Sequence, residues 1–356
     1  MSRQSLGPPR THSAQGPQSQ LIRLDSNENP LGPSPLAVEA IRSAMARANL
    51  YPDDDCSELR ERLATQHGVP VEQTIVTAGS TGLLGILCQV LLGPGLNAVT
   101  SERSFVVYSQ LVRSTGARLI EAPMRDDAFD LAAILKAING DTRLVFLANP
   151  NNPTGTMLDA DEVDGFLAQV PDHVIVALDE AYYEYAAHFA AQRGVVYSRS
   201  LECLRKNAGV VVLRTFSKVH GLAGLRVGYG FGPAELLRFC AQMRTTYSVA
   251  SMAEAGALAA MNDTEHVERT LRLNADQAKV LSTSLSALGY RVVETWANFI
   301  CCDVGEDARG FAVRLLEDGV VIRPLGAWSA PNCVRVSIGT AEENQVFLEA
   351  VRKTRS

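Results

Sequence analysis

Seven short apolar runs recur between residues 74 and 231, and they constrain the fold of this 356-residue chain more than any other feature. They are TIVT (74–77), NAVT (97–100), RLIEA (118–122), RLVFLA (143–148), VIVAL (174–178), VVVLR (210–214) and VGYGF (227–231). Most do not alternate apolar with polar positions, as a strand with one wet face would. They therefore predict strands buried on both faces of a largely parallel sheet. Segments of helical character lie between them, at 80–92, 104–116, 130–138, 159–170 and 234–248, as the crossovers of parallel strands require. The pattern predicts an α/β large domain with a mostly parallel seven-stranded sheet covered by helices.

The flanks read differently. Apolar residues at 38, 41, 45 and 48 predict a helix over 36–50, and 57–66 predicts another. A long helical region, 251–287, leads to strands at 290–294, 298–303, 320–322 and 333–337 around a helix at 307–318. That is the pattern of a smaller α+β domain. The expected division is a large domain over 50–270 and a small domain built from 21–49 and 271–356. Residues 1–20, rich in Ser, Gln, Pro and Gly, predict a disordered N-terminal tail and lack the apolar core of a secretory signal.

Composition excludes several classes. A net charge of −6 offers no basic footprint for nucleic acid. The longest apolar stretch, near 83–92, is too short to span a membrane. Seven scattered cysteines without a C-x-x-C pair, and histidines without i, i+4 spacing, point away from disulfides and metal and toward reduced thiols in the cytoplasm.

In open α/β sheets ligands bind at the carboxyl ends of the strands. Here those ends are chemically crowded. The first run leads into Ala78-Gly79-Ser80-Thr81-Gly82, the fourth into Asn149-Pro150-Asn151-Asn152-Pro153-Thr154-Gly155, and the fifth into Asp179-Glu180-Ala181-Tyr182. The sixth enters a turn carrying Thr215, Ser217 and Lys218, with Arg226 shortly after. Each element alone also reads as a helix cap, a turn or a core tyrosine. Together they offer an amine, a buried carboxylate and an anion cradle. Those are the three requirements of pyridoxal 5'-phosphate, for its aldehyde, its ring nitrogen and its phosphate.

The ordered motifs NENPLGPSP, NLYPDDD, NPNNPTG, DEAYYEY, TFSKVHGLAGLRVGY and VRVSIGT resemble the fold-type I aminotransferases, most closely the histidinol-phosphate aminotransferase family. The resemblance covers residues 24–351. It implies that Lys218 holds the cofactor's aldehyde and moves the reacting proton, and that Asp179 pairs with the ring nitrogen. It further implies that Asn152 and Tyr182 bond the phenolic oxygen, and that Phe105 stacks on the ring. Ser80, Thr81, Thr215, Ser217 and Arg226 would hold the phosphate. Tyr51 would reach the neighbouring site of a homodimer. Arg335 would clamp the substrate carboxylate, with Arg323 beside an anionic side chain. Two positions depart from the family pattern: Leu31 stands where a tyrosine is common, and Gly326-Ala327-Trp328 where a glycine-tyrosine pair is common, which bears on the side-chain pocket.

The implied activity is ping-pong transfer of an amino group between a small-molecule donor, histidinol phosphate or an aromatic amino acid, and a 2-oxo acid, 2-oxoglutarate. A decarboxylase of phospho-amino acids with the same fold is the alternative.

Overall fold

The computed structural model describes residues 21–206 and 209–354, so the tail expected at 1–20 lies outside the described residues. Seven strands form the principal sheet: β1 (Thr74–Thr77), β2 (Asn97–Ser101), β3 (Arg118–Ala122), β4 (Thr142–Ala148), β5 (Ile175–Asp179), β6 (Val210–Thr215) and β7 (Gly228–Phe231). Their spatial order is β1-β7-β6-β5-β4-β2-β3. β2, β3, β4, β5 and β6 pair in parallel. β7 alone runs against its neighbours β1 and β6.

Burial explains why the runs do not alternate. Every residue of β1, β2 and β6 is buried, because helices cover both faces. The edge strand β3 keeps exposed positions at Arg118 and Glu121. The helix Ser80–Leu91 buries Leu83, Leu84 and Leu87 in the same core as Val210, Val211, Val212 and Leu213. Helix Pro35–Ala44 packs on Ser251–Ala260, and its Ala37 joins this core.

A second, antiparallel sheet contains β8 (Arg291–Val292), β9 (Phe299–Asp303), β10 (Arg323–Pro324) and β11 (Cys333–Ser337), in the order β8-β9-β11-β10. Its core gathers Ile300, Phe311, Leu315 and Phe347 with Leu281 and Leu285. Leu24 belongs to that core, and the adjoining Ile22–Arg23 pairs in parallel with Val320–Val321.

Several local expectations change. The helical region 251–287 divides into Ser251–Ala260 and Thr264–Ala287, because Asp263 accepts the His266 amide and starts a new helix. The helix expected over 104–116 shortens to Val107–Ser114, since Arg103 takes a positive φ of 52° just before it. The strand expected over 320–322 shortens to Val320–Val321, which pairs with Ile22–Arg23, and the second sheet takes up the chain only at Arg323. Between β5 and β6 lie two helices, Tyr183–Arg193 and Ser200–Lys206, which no expectation covered. The buried positions Tyr185, Ala186, Phe189 and Ala190 of the first do recur at helical spacing.

Candidate active site

The parallel register gathers the strand ends on one edge. Ala148 lies beside Asp179, and Asp179 beside Leu213. Gly228, the first residue of β7, pairs with both Thr77 and Thr215, the last residues of β1 and β6. The chain entering β7 therefore meets the chain leaving β1 and β6 at this edge. A cavity of about 310 Å³ opens there.

One wall is built for an anion. Gly79, at φ +78°, turns the chain into the helix Ser80–Leu91, whose first turn points amide groups outward. The turn is closed by steric exclusion. A Cβ on Gly79 would lie 2.6 Å from Arg226 Nη2, and one on Gly228 would lie 2.4 Å from the Ser80 nitrogen. Thr215 donates to Ser217 Oγ over 2.9 Å, while the Ser217 amide donates back to Thr215 Oγ1 over 3.1 Å. Arg226 Nη1 donates to Ser217 Oγ at 3.4 Å and to the Ala223 carbonyl at 3.0 Å.

Lys218 sits in the turn beyond β6, partly exposed to the cavity. Its amine donates to the Asn27 carbonyl over 3.1 Å and lies 5.4 Å from the centre of the Tyr182 ring. Burial pushes its pKa down to about 8, with Arg335 and Arg226 adding repulsion and Glu28 and Asp179 opposing it. A sizeable fraction of such an amine is neutral, hence nucleophilic, near physiological pH.

Asp179 ends β5, and its carboxylate is buried. Burial raises its pKa to about 6, while hydrogen bonds from Tyr108 and the Ala181 amide and the charge of Lys218 oppose the rise. Tyr108 donates to Oδ2 over 2.8 Å, and Oδ1 is a buried acceptor without a partner among the described residues. Tyr108 stacks on Phe146 with centroids 4.4 Å apart and meets Phe105 edge-on at 5.5 Å. Phe105 is thereby held against the cavity.

The opposite wall comes from the smaller sheet and the N-terminal segment. Arg335 Nη1 donates to Asn152 Oδ1 over 2.6 Å and Nη2 to the Asp25 carbonyl over 2.7 Å. Burial lowers its pKa to about 10, so it stays cationic at neutral pH. Tyr182 OH accepts from Asn27 Nδ2 at 2.9 Å and from Asn152 Nδ2 at 3.4 Å. Asn27, at φ 55°, also takes a bond from its amide to Ser337 Oγ over 2.7 Å, tying the segment to β11. The lysine turn packs tightly on this segment: a Cβ on Gly221 would fall 2.1 Å from the Gly32 carbonyl oxygen.

Of the residues singled out from the sequence, Ser80, Thr81, Phe105, Asn152, Asp179, Tyr182, Thr215, Ser217, Lys218, Arg226, Arg323 and Arg335 line this one cavity. Tyr51 does not. It is 82% exposed and stacks on Tyr247 with centroids 4.6 Å apart. Leu31 and Trp328 are not in the lining either. The Leu31 amide turns back onto Asn29 Oδ1, and Trp328 packs with Val293, Cys301 and Leu325. Sequence reasoning missed Tyr108, Asn27 and Asp25. For Tyr108 the available signal was its place three residues after Phe105 in the helix expected over 104–116, although Phe105 lies just before the observed helix Val107–Ser114.

Among the described residues no group of three or more His, Cys, Asp or Glu is placed to hold a metal. All seven cysteines are free and buried, and no helix of the described residues is long and apolar enough to cross a membrane.

The chain resembles known proteins over nearly its full length. It is 41% identical to histidinol-phosphate aminotransferase 2 of Pseudomonas fluorescens, over 94% of this chain and 88% of that one. It is 40% identical to histidinol-phosphate aminotransferase of Moorella thermoacetica, over 94% of this chain and 85% of that one. The crystal structure of histidinol-phosphate aminotransferase from Sinorhizobium meliloti in complex with pyridoxal-5'-phosphate superposes with a TM-score of 0.87 at 29% identity, covering 93% of this chain and 91% of that one. The family model of aminotransferase class I and II matches residues 19–351, and the chain belongs to that family of transaminases.

Proposed function

We propose that this chain exchanges the amino group of histidinol phosphate with 2-oxoglutarate, with pyridoxal 5'-phosphate held in the cavity. The observation that carries the proposal is the convergence of Lys218, Asp179, the Ser80 turn and Arg335 on one cavity, in a chain about 40% identical to enzymes of that name. The residues fit the cofactor. Asp179 Oδ1 is a buried acceptor lacking a donor among the described residues, and a pyridinium N–H is such a donor. Gly228 leaves the Ser80 backbone no room for a side chain, and Gly79 turns at a φ of +78° that side chains disfavour, which suits backbone approach to a phosphate.

When bound, the cofactor supplies an aldehyde for the amine and a protonated ring that takes up electrons released at the donor's α-carbon. The remaining work falls to the chain. Lys218 Nζ, lowered to about pKa 8, anchors the cofactor and then takes and returns the α-proton. Asp179 keeps the ring nitrogen protonated, and Tyr108 holds that carboxylate in position through its 2.8 Å bond. Tyr182 and Asn152 would hold the phenolic oxygen. Phe105 would stack on the ring. Ser80, Thr81, Thr215, Ser217 and Arg226 would take the phosphate. Arg335 takes the donor's anionic group, a phosphate ester in histidinol phosphate and a carboxylate in glutamate. Donor and acceptor use the same place in turn, which gives ping-pong kinetics.

We also infer a homodimer in which the exposed Tyr51 reaches the neighbouring site, and a cytoplasmic enzyme, in keeping with seven free cysteines. The larger sheet, with residues 50–270, and the smaller unit, with 21–49 and 271–356, are our working division of the chain.

Steady-state rates with histidinol phosphate, phenylalanine and tyrosine as donors test the substrate. We expect kcat/KM for histidinol phosphate to lead by about two orders of magnitude. An aromatic donor in front would reverse the assignment, and release of CO2 without amino transfer would replace it by a decarboxylase.

A further inference from the structure

Two arginines face each other at the substrate end of the cavity. Arg323 on β10 and Arg335 on β11 are direct cross-strand partners, and both are buried and line the cavity. Like charges so placed repel. Asp25 lies between them and handles the two differently. Its carbonyl accepts from Arg335 Nη2 at 2.7 Å and from Arg323 Nε at 3.3 Å. Its carboxylate bonds Arg323 Nη2 at 3.1 Å, with Arg23 Nη2 at 3.5 Å on the same oxygen. Arg335 receives no bond from that carboxylate; its Nη1 goes to Asn152. Asp25 itself is only 2% exposed and also lines the cavity.

We propose that Asp25 is a specificity-determining residue. Its carboxylate offsets one of the two arginine charges at the anion-binding end, holding Arg323 in reserve while Arg335 stays available to a single carboxylate. The proposal deepens the reading above, because it assumes that this end receives the substrate's anionic group. A transaminase of phosphate-bearing donors must receive, at one place, a doubly charged phosphate ester in one half-reaction and one of the two carboxylates of glutamate or 2-oxoglutarate, singly charged, in the other. Two uncompensated arginines would hold the dianion tightly and slow its exchange for the carboxylate. Moderation by Asp25 keeps the two affinities close enough for both half-reactions to use one site.

Coulomb energy is linear in ligand charge. Removing the Asp25 charge therefore strengthens binding of a monoanion by some factor and of a dianion by about the square of it. The test is calorimetric. Dissociation constants of acetate and of inorganic phosphate at pH 8 are measured on the cofactor-loaded protein, in wild type, Asp25→Asn and Asp25→Ser. Both variants keep the backbone carbonyl that grips the arginines, and the serine variant gives a reading if the asparagine variant misfolds. The expected result is acetate tighter by about threefold and phosphate by about tenfold. Equal shifts for the two anions, no shift, or weakening of both would overturn the proposal and leave Asp25 a purely structural residue. Histidinol phosphate is not used, so failure of the substrate assignment would show in the donor comparison and not here.

Discussion

The Tyr108 hydroxyl donates to Asp179 Oδ2 over 2.8 Å while Oδ1 of the same carboxylate is buried without a partner among the described residues. The carboxylate is thus held through one oxygen and leaves the other to accept a further donor. Tyr108→Phe removes a side-chain bond that opposes the burial-driven rise of the Asp179 pKa. We expect kcat/KM to fall about tenfold at pH 7, with the acid limb of its pH profile moved to higher pH. A profile that keeps its acid limb would show that Tyr108 merely fills space.

The same carboxylate fixes a pH dependence of stability in cofactor-free protein. Its pKa rises from 3.8 to about 6 on folding, so the folded chain holds a proton over that window that the unfolded chain has lost. Stability therefore drops as pH climbs from about 4 to 6, and the penalty is complete above it. Asp179→Asn should stabilise the cofactor-free chain at pH 8 by up to about 3 kcal/mol, and by little at pH 3.5. Denaturant melts at both pH values decide the matter; equal effects at the two would contradict it.

Gly228 stands against the Ser80 amide. A Cβ there would press on backbone at 2.4 Å, which cannot yield as a flexible side chain can. Gly228→Ala should weaken cofactor binding at least tenfold and lower the melting temperature. Gly224, with open space around its Cβ position, provides the contrast: Gly224→Ala should bind cofactor nearly as wild type does. Spectroscopic titration with cofactor separates the two.

Behind the site, Arg214 and Glu180 form a buried pair at 2.9 Å, with Arg214 also 3.4 Å above the Tyr183 ring. Arg214→Met strands the Glu180 charge, and a loss of about 3–5 kcal/mol is expected in denaturant melts. A loss below 1 kcal/mol would mean that Glu180 finds another partner.

What the sequence made legible follows from where each part of the site resides. Strands buried on both faces announce themselves through runs such as VVVLR, and the strand-end rule then locates Asp179, Lys218 and the Ser80 turn. The far wall was harder to read. Asn27 bonds Tyr182, which is 155 positions away, and Asp25 bonds Arg323, which is 298 away. Neither pairing has a periodicity or spacing to betray it. The Asp263 cap was likewise hidden inside a continuous helical pattern, since a single capping carboxylate decides where one helix stops and the next begins. Leu31 and Trp328 were singled out by their departure from a family pattern, and the cavity is lined by other residues. A sequence departure marks a difference without saying which surface it changes.

Lys218 is the amine proposed to hold the cofactor. Borohydride reduction of the cofactor-loaded chain, followed by peptide mass mapping, tests it most directly. The prediction is a pyridoxyl-phosphate adduct on Lys218, absent in Lys218→Ala. An adduct on another lysine, or none, would contradict that role.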